Sequence, residues 1–274
     1  MKLVVCSTND PASLNIMSHL LTMGSFEKKK LGDYTFYFED DFAVVEVNER
    51  LIYADRIDER LSRFLDFDEI LFASRHSSKD GRKIFTTHVS GNVGESTYGG
   101  LAKSLARPSP ITMKNFVLAL KKRLNRVMDF EFSLEATHHG PSEISKPCAF
   151  YEIGSTELEW KNGEAGEVLA ESILEAIRDP RKDWKIAVGI GGTHYVPRQT
   201  EIILETHFAF GHNFAKYTFE NLDLEILNKA IELSKAEFLI YDDKSTNARV
   251  KTLFEELSGV KILKAKEAKK FSLD

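Results

Sequence analysis

The feature that most constrains the fold is the alternation of short apolar strands with amphipathic helices in the second half of the chain. Strand patterns at 185–190, 237–242 and 260–263 are separated by helical patterns, of which the clearest lie at 222–235 and 247–257. A strand that follows another through a helical crossover pairs with it in parallel, because the helix carries the chain back to the same end of the sheet. The pattern therefore predicts an α/β fold with helices packed on a sheet.

The first half adds an antiparallel part to this sheet. Asp10 followed by Pro11 predicts a helix start, and the aromatic runs at 34–38 and 42–47 predict a hairpin. Thr112 is predicted to begin a second helix. Further strands are predicted at 69–74, 130–136 and 149–153, and a further helix at 163–177. We expect a three-layer α/β/α arrangement with a mixed, mostly parallel sheet, in a single domain over residues 1–274, since no repeat or long linker interrupts the pattern.

Composition excludes several classes of protein. The formal net charge of -5 argues against a protein that wraps nucleic acid over its whole surface, and two cysteines are too few for a disulfide framework. No apolar run reaches the roughly 20 residues that span a bilayer, and the N-terminal apolar run is too short for a signal peptide. These features predict a cytoplasmic protein. Gln199 is the only glutamine beside abundant lysine and glutamate, which indicates a thermophilic source.

Histidines concentrate in glycine-rich turns that follow the predicted strands. His88, the pair His138-His139 and His194 each lie in such a turn, and Glu152 ends another strand in the same manner. In open α/β sheets the ligand crevice lies outside the carboxyl ends of the strands, where these turns would meet. A histidine at a strand end is more often a hydrogen-bonded structural residue, but buried imidazole and carboxylate together are costly without a role.

Histidine and carboxylate are the ligands of hydrolytic zinc sites, which keep one coordination position for water. The local motif His-Glu-x-x-His and paired Cys-x-x-Cys are both absent, so a metal site would be assembled from distant loops. The predicted metal ligands are His88, His138, Glu152 and His194. The predicted catalytic residues are His138, His139, Glu135 and His194, with Glu135 or Glu152 as the candidate general base.

A second set of residues is predicted to bind substrate. Its members are polar or glycine residues of the same turns, together with two basic residues of the helix after Thr112: Asn92, Gly140, Gly191, Gly192, Thr193, His212, Lys121 and Arg126. Glycine-rich turns can cradle phosphate, and basic helices can hold a phosphate backbone. The alternative is that these glycines only permit tight turns and that the charges form a solvated face.

Seven motifs, in order along almost the whole chain, resemble those of the archaeal and plant D-aminoacyl-tRNA deacylases. They are Ser-Arg-His (74–76), Thr-His-Val-Ser-Gly-Asn (87–92), Tyr-Gly-Gly (98–100), Glu-Ala-Thr-His-His-Gly-Pro (135–141), Glu-Ile-Gly-Ser-Thr with Glu-Trp following (152–160), Gly-Ile-Gly-Gly-Thr-His-Tyr-Val-Pro-Arg (189–198) and Phe-Gly-His-Asn (210–213). The resemblance implies hydrolysis of the ester between a D-amino acid and the terminal ribose of tRNA. It also implies zinc as cofactor and a phosphorylase/hydrolase-like fold.

Other functions stay open at this level. The polar turns could act without metal by orienting the tRNA ribose hydroxyl and a water. The same fold group includes zinc peptidases and nucleoside-cleaving hydrolases, and a tRNA-binding protein with purely structural histidines is a non-enzymatic alternative. The expected partner is tRNA and no membrane, with the chain a monomer or homodimer. The sequence does not determine how many metal ions bind.

Overall fold

The computed structural model describes residues 1–273, which fold into strands and helices in the predicted alternation. The strands are β1 (Lys2–Ser7), β2 (Glu27–Leu31), β3 (Tyr34–Phe38), β4 (Phe42–Val47), β5 (Glu69–Arg75), β6 (Ile84–His88), β7 (Gly91–Asn92), β8 (Ser104–Leu105), β9 (Glu131–Leu134), β10 (Cys148–Gly154), β11 (Lys185–Ile190), β12 (Phe208–Phe214), β13 (Phe238–Tyr241) and β14 (Lys261–Lys264). The helices are α1 (Pro11–Thr22), α2 (Ile57–Leu61), α3 (Pro110–Lys121), α4 (Glu157–Trp160), α5 (Gly163–Arg178), α6 (Pro197–Glu205), α7 (Leu224–Ser234), α8 (Ala248–Phe254) and α9 (Ala265–Ala268).

The strands form two main sheets rather than one. The larger has the order β2-β3-β4-β1-β5-β10-β6-β9, and the smaller has the order β12-β11-β13-β14. Every pair of the smaller sheet is parallel. In the larger sheet, β4, β1, β5 and β10 are parallel. The predicted antiparallel part is the β3–β4 hairpin, to which β2 adds a further antiparallel strand, and β6 runs against β10. The prediction of a mixed, mostly parallel α/β fold is confirmed.

Local sequence explains where the first helix begins and how it packs. The Asp10 side chain accepts hydrogen bonds from the amides of Ala12 and Ser13, and Pro11 needs no hydrogen-bond acceptor at the first helical position. Ala12, Ile16 and Leu20 lie three or four residues apart on the buried face of α1. Helix α1 packs on β5, and helix α5 packs on β10.

Two predictions of local structure were wrong. Helix α3 begins at Pro110 rather than after Thr112, because proline suits the first helical turn; the Thr112 hydroxyl instead lies 3.0 Å from the Glu69 carboxylate. Residues 210–213, predicted as a polar turn, lie inside strand β12, which is buried along its whole length. Buried phenylalanines flank this polar run, and their burial decides the conformation. Within residues 1–273, no helix combines the length and the apolar character that a membrane span requires.

The two sheets meet through the loop that carries Glu135 and His138. The amide of Ala136 donates to the carbonyl of His194, which follows β11, and the amide of Thr137 donates to the carbonyl of Asn213 in β12. On its other side, the loop bridges to Ser90, which follows β6. Side chains that follow strands of both sheets are therefore held within hydrogen-bond distance of one another.

Candidate active site

Glu135 is the centre of the histidine cluster. Its Oε1 lies 2.8 Å from Nδ1 of His76, and its Oε2 lies 3.1 Å from Nε2 of His194 and 3.4 Å from Nε2 of His138. The Glu135 side chain exposes no surface to solvent. Burial would raise the pKa of Glu135, but His76 and His194 hold this pKa well below its usual value. The cluster is therefore organised around a buried, ionised carboxylate.

His76 is held as an imidazolium cation by an ion pair with Glu135 and a hydrogen bond to Tyr195. Its Nδ1 faces the Glu135 carboxylate, and its Nε2 lies 3.0 Å from the hydroxyl of Tyr195. That hydroxyl donates to Asp80 at 2.9 Å, so it accepts the N–H of His76. Burial alone would lower the pKa of His76, but Glu135 raises it to about 9. Both ring nitrogens of His76 therefore carry protons in the metal-free protein, and a metal ion would have to displace one of them to bind this residue.

His138 and His139 are neutral and share one tautomer. Nδ1 of His138 lies 2.8 Å from the carbonyl of Ala136, and Nδ1 of His139 lies 2.5 Å from the carbonyl of Gly140. A carbonyl only accepts, so each Nδ1 carries the proton and each Nε2 keeps its lone pair. Burial, together with the neighbouring His88, lowers the pKa of His139 to about 3 and that of His138 well below its usual value.

His88 is fully buried and both of its ring nitrogens lack a hydrogen-bond partner. Its ring stacks on Phe150, with centroids 5.2 Å apart, and its Nε2 lies 3.7 Å from the Glu152 carboxylate. Burial would lower the pKa of His88, whereas Glu152 and Glu135 raise it. The carboxylates of Glu152 and Glu135 therefore favour a positive charge at the position of the His88 ring.

Two cavities adjoin the cluster and share Tyr98, His138 and His139 in their walls. The first cavity, of about 380 Å³, is also lined by His76, His194 and Glu152 and by charged side chains outside the cluster. The second, of about 500 Å³, is lined by the 91–94 turn and by residues around Tyr217. Both volumes lie within or near the range of small-molecule sites. The histidine pair therefore stands between two ligand-sized spaces.

Comparison with known proteins identifies the family. The sequence model described as D-aminoacyl-tRNA deacylase matches residues 63–264. The D-aminoacyl-tRNA deacylase of Archaeoglobus fulgidus is 62% identical over 98% of each chain. That of Methanosarcina mazei is 37% identical over 99% of this chain and 95% of its own.

The chain belongs to the D-aminoacyl-tRNA deacylase family. The predicted resemblance, and with it the prediction of a hydrolase that acts on ester bonds, is thereby confirmed. The crystal structure of AF0625, described as a conserved protein of unknown function, is 62% identical and covers 100% of this chain and 99% of its own, with a TM-score of 0.99.

In the structure, the four predicted metal ligands fall into different groups of neighbouring side chains. His88 and His138 lie together with His139, whereas His194 lies with His76 and Glu135, and Glu152 lies with His88 and Glu135. In each group the candidate ligand atoms are within 4.8 Å of one another. No such group in residues 1–273 contains all four predicted ligands. The structure thus brings the predicted residues into one cluster but divides them among three possible sites.

The predicted substrate-binding residues of the turns have mostly structural contacts. Asn92 donates to the carbonyls of Gly99 and Leu101, although it also lines the second cavity. Gly191 has a φ of 103°, where a Cβ would lie 2.6 Å from the Ser245 hydroxyl, and Gly192 donates its amide to that hydroxyl. The 191–193 turn lines neither cavity. Its glycines therefore fit the tight-turn alternative.

Three further side chains that were predicted to bind substrate, His212, Arg126 and Lys121, contact partners within the protein. The prediction that His212 binds substrate is corrected: the residue is fully buried, with Nδ1 facing Thr137 and Nε2 donating to the carbonyl of Ala106. Arg126 pairs with two glutamates of α5, and Lys121 donates to a backbone carbonyl of α6. Both basic residues stay predicted tRNA contacts, although a phosphate would compete with these partners.

The sequence reasoning did not select His76, Tyr195, Tyr98 or Tyr217. The position of His76 directly after strand β5 was visible, and Ser-Arg-His was one of the motifs. The sequence does not indicate that Glu135, about sixty residues later in the chain, contacts His76. The tyrosines carry no spacing pattern: Tyr98 and Tyr217 matter because they line the cavities, and Tyr195 matters because its hydroxyl contacts His76.

Proposed function

We propose that this chain hydrolyses the ester between a D-amino acid and the terminal ribose of tRNA, using a water activated by a bound zinc ion. Family membership supports the ester and the substrate. Aminoacyl-tRNA is found where translation occurs, which supports the cytoplasm as the site of action. A single domain is supported by the main hydrophobic core, which joins side chains of both sheets.

The contact between His138 and Glu135 carries the metal proposal. Nε2 of His138 holds a lone pair, because its Nδ1 donates to the carbonyl of Ala136, and it faces Oε2 of Glu135 at 3.4 Å. Two lone pairs at this distance in a buried site repel, and the His76 cation lies on the other oxygen of Glu135, so a cation bound at Nε2 of His138 would remove the repulsion that remains. The fixed tautomer is also the arrangement that metal-binding histidines show, in which the second nitrogen donates to a carbonyl.

The donor set that fits zinc best is His88, His138 and His139. All three offer imidazole nitrogen, His88 has both nitrogens unpartnered, and the other two have bare Nε2 atoms. Three histidines with an open fourth position are a known hydrolytic zinc set. When bound, zinc would polarise the ester carbonyl and lower the pKa of a water. This proposal keeps two predicted ligands, His88 and His138, and places His139 where Glu152 and His194 were predicted.

His194 is the residue best placed to accept the proton of the attacking water. Its Nε2 faces the Glu135 carboxylate, so its Nδ1 keeps a lone pair, and 36% of its side chain is exposed. Glu135, which is fully buried, orients the ring and stabilises the imidazolium that forms, as the carboxylate does in other acid–base pairs. His76 balances the charge of Glu135 from the opposite side. Glu152, whose Oε2 is held by Thr86, lines the first cavity.

The test is hydrolysis of matched D- and L-aminoacyl-tRNA by the wild-type protein, before and after removal of metal with a chelator. We expect preferential loss of the D-ester, inactivation by chelation and recovery with zinc. His138→Ala is expected to lower the rate at least about 100-fold without unfolding the protein. His207→Ala is the matched control, because this exposed histidine lines neither cavity.

The outcomes separate the alternatives. Full activity after exhaustive chelation would contradict the metal and favour orientation of the ribose hydroxyl and a water by the polar turns. Binding of tRNA without ester loss, or full activity of both His138→Ala and His194→Ala, would contradict the catalytic assignment.

A further inference from the structure

The two cavities beside the histidine pair differ in chemical character. Beyond the cluster, the first is lined by Asp10, Arg50 and Arg75, which are charged side chains. The second has Glu95 as its one charged lining residue outside the histidines; its other lining groups are hydroxyl, amide and backbone groups, two tyrosines and the apolar side chain of Val93. The second cavity is therefore nearly neutral, hydrogen-bonding and aromatic, and these are the properties that suit a nucleobase.

The two tyrosines of the second cavity are unusually exposed. Tyr98 and Tyr217 expose 61% and 54% of their surface and are among the few large apolar residues that do so. Both lie beside the cluster: Tyr98 lines both cavities with His138 and His139, and the Tyr217 hydroxyl lies 3.5 Å from Nδ1 of His194. An exposed aromatic ring at a catalytic site is a ready surface for stacking.

The backbone that carries Tyr98 is fixed although its ring is exposed. The carbonyl of Tyr98 accepts from the amide of Gly140 at 2.8 Å. The next two residues are held by Asn92, which donates to the carbonyl of Gly99, and by Asp55, which accepts from the amide of Gly100 at 3.0 Å. A ring on a rigid loop loses little conformational entropy when a ligand stacks on it. These hydrogen bonds thus fix the backbone that carries the Tyr98 ring beside His138 and His139.

We propose that the second cavity binds the terminal adenosine of the tRNA, with Tyr98 and Tyr217 as the aromatic surfaces on which the adenine stacks. The unpaired 3′ end of tRNA exposes the faces of its bases, and a cavity of about 500 Å³ accommodates a nucleoside. The first cavity then receives the aminoacyl group, and the ester joining the two lies beside His138 and His139. This inference rests on the proposed function, of which it specifies the substrate subsites.

The experiment compares Tyr98→Ala and Tyr217→Ala with Tyr98→Phe and Tyr217→Phe. Free adenosine is the probe, both as an inhibitor of deacylation and as a ligand in calorimetry without tRNA. Loss of one stacking surface should raise KM for D-aminoacyl-tRNA and weaken adenosine binding by about 10-fold, with a smaller change in kcat. The phenylalanine variants keep the ring and should bind adenosine like the wild type. Tyr53→Ala is the control, since this exposed tyrosine lines neither cavity.

Unchanged KM and unchanged adenosine binding in both alanine variants would overturn the proposal. Equal binding of adenosine and cytidine would also overturn it, because a purine stacks on aromatic rings over a larger area.

Failure of the proposed function gives a different pattern of results. If the wild type binds adenosine in a Tyr98-dependent manner but does not deacylate tRNA, the subsite stands and the reaction is wrong. If the wild type deacylates tRNA but does not bind adenosine, the subsite is wrong and the reaction stands.

Discussion

Nε2 of His194 lies 3.1 Å from Oε2 of Glu135, so a partly exposed imidazole is oriented by a carboxylate that solvent does not reach. The pair joins a loop of the smaller sheet to a loop of the larger one. Because Glu135 cannot itself touch a substrate in the cavity, its effect on the reaction must pass through the histidines that it contacts.

Glu135 and His194 are therefore expected to act as one unit. Glu135→Gln keeps the shape of the side chain and removes its charge, and should lower kcat by about 100-fold or more; His194→Ala should do the same. The double variant should be only slightly worse than either single variant, since the function of the pair is already lost. Single-turnover deacylation measures all three rates. Losses that multiply in the double variant would show that the two residues act independently.

His88→Phe separates metal binding from folding. Phenylalanine retains a ring that can stack on Phe150 and removes two buried nitrogens that lack partners. The variant removes two unpartnered nitrogens but also the attraction between His88 and the Glu152 carboxylate 3.7 Å away, so the free energy of unfolding of the metal-free protein should change by no more than about 1 kcal/mol, while zinc binding is lost. Denaturant unfolding and metal titration check this. A large loss of metal-free stability would mean that the His88 nitrogens make stabilising contacts of their own.

Gly140→Ala tests the close approach of two backbones beside His139. A Cβ at this position would lie 2.3 Å from the amide nitrogen of Gly100 and 2.6 Å from the carbonyl oxygen of Ile52. The variant should lose about 1–3 kcal/mol of unfolding free energy, because backbone atoms must move apart, and should also lose activity through displacement of His139. Gly163→Ala is the control, since its Cβ would meet no atom within 4 Å. Equal stability of both variants would contradict this packing.

Lys114 gives the protein a specific pH dependence of stability. Burial, aided by the charges of Lys121 and Arg181, lowers the pKa of Lys114 from 10.5 to about 7. Between these values the unfolded chain holds a proton that the folded protein has released, so this residue makes stability rise with pH. Relative to Lys114→Met, the wild type should gain unfolding free energy from about pH 7 to about pH 10. Parallel pH curves for the two proteins, measured by denaturant unfolding, would refute this.

Local chemistry was enough to predict many elements of the fold. Asp10 with Pro11 marks the start of α1, and the aromatic runs at 34–38 and 42–47 form the β3–β4 hairpin as predicted. Strand β12 was missed because its polar residues are satisfied by distant partners, such as the carbonyl of Ala106 for His212. The division into two sheets depends on which strands pair, and no local pattern specifies that.

The residues of the site were easier to predict than their arrangement. Strand-end position pointed to His88, His138, Glu152 and His194, and all four lie in the cluster. The missing information was tertiary: the contact of His76 with Glu135, and the backbone carbonyls that fix the tautomers of His138 and His139. Tautomer and charge, rather than residue type, separate the histidines that we propose as metal ligands from His76, which balances the charge of Glu135.

Zinc titration of the chelator-treated protein tests the central claim most directly. We predict saturable zinc binding that restores deacylation of D-aminoacyl-tRNA in the same titration, is lost in His88→Ala and His138→Ala, and is unchanged in His207→Ala. Rapid deacylation by protein shown by mass spectrometry of metals to be free of bound metal, or zinc binding that survives in both ligand variants, would contradict it.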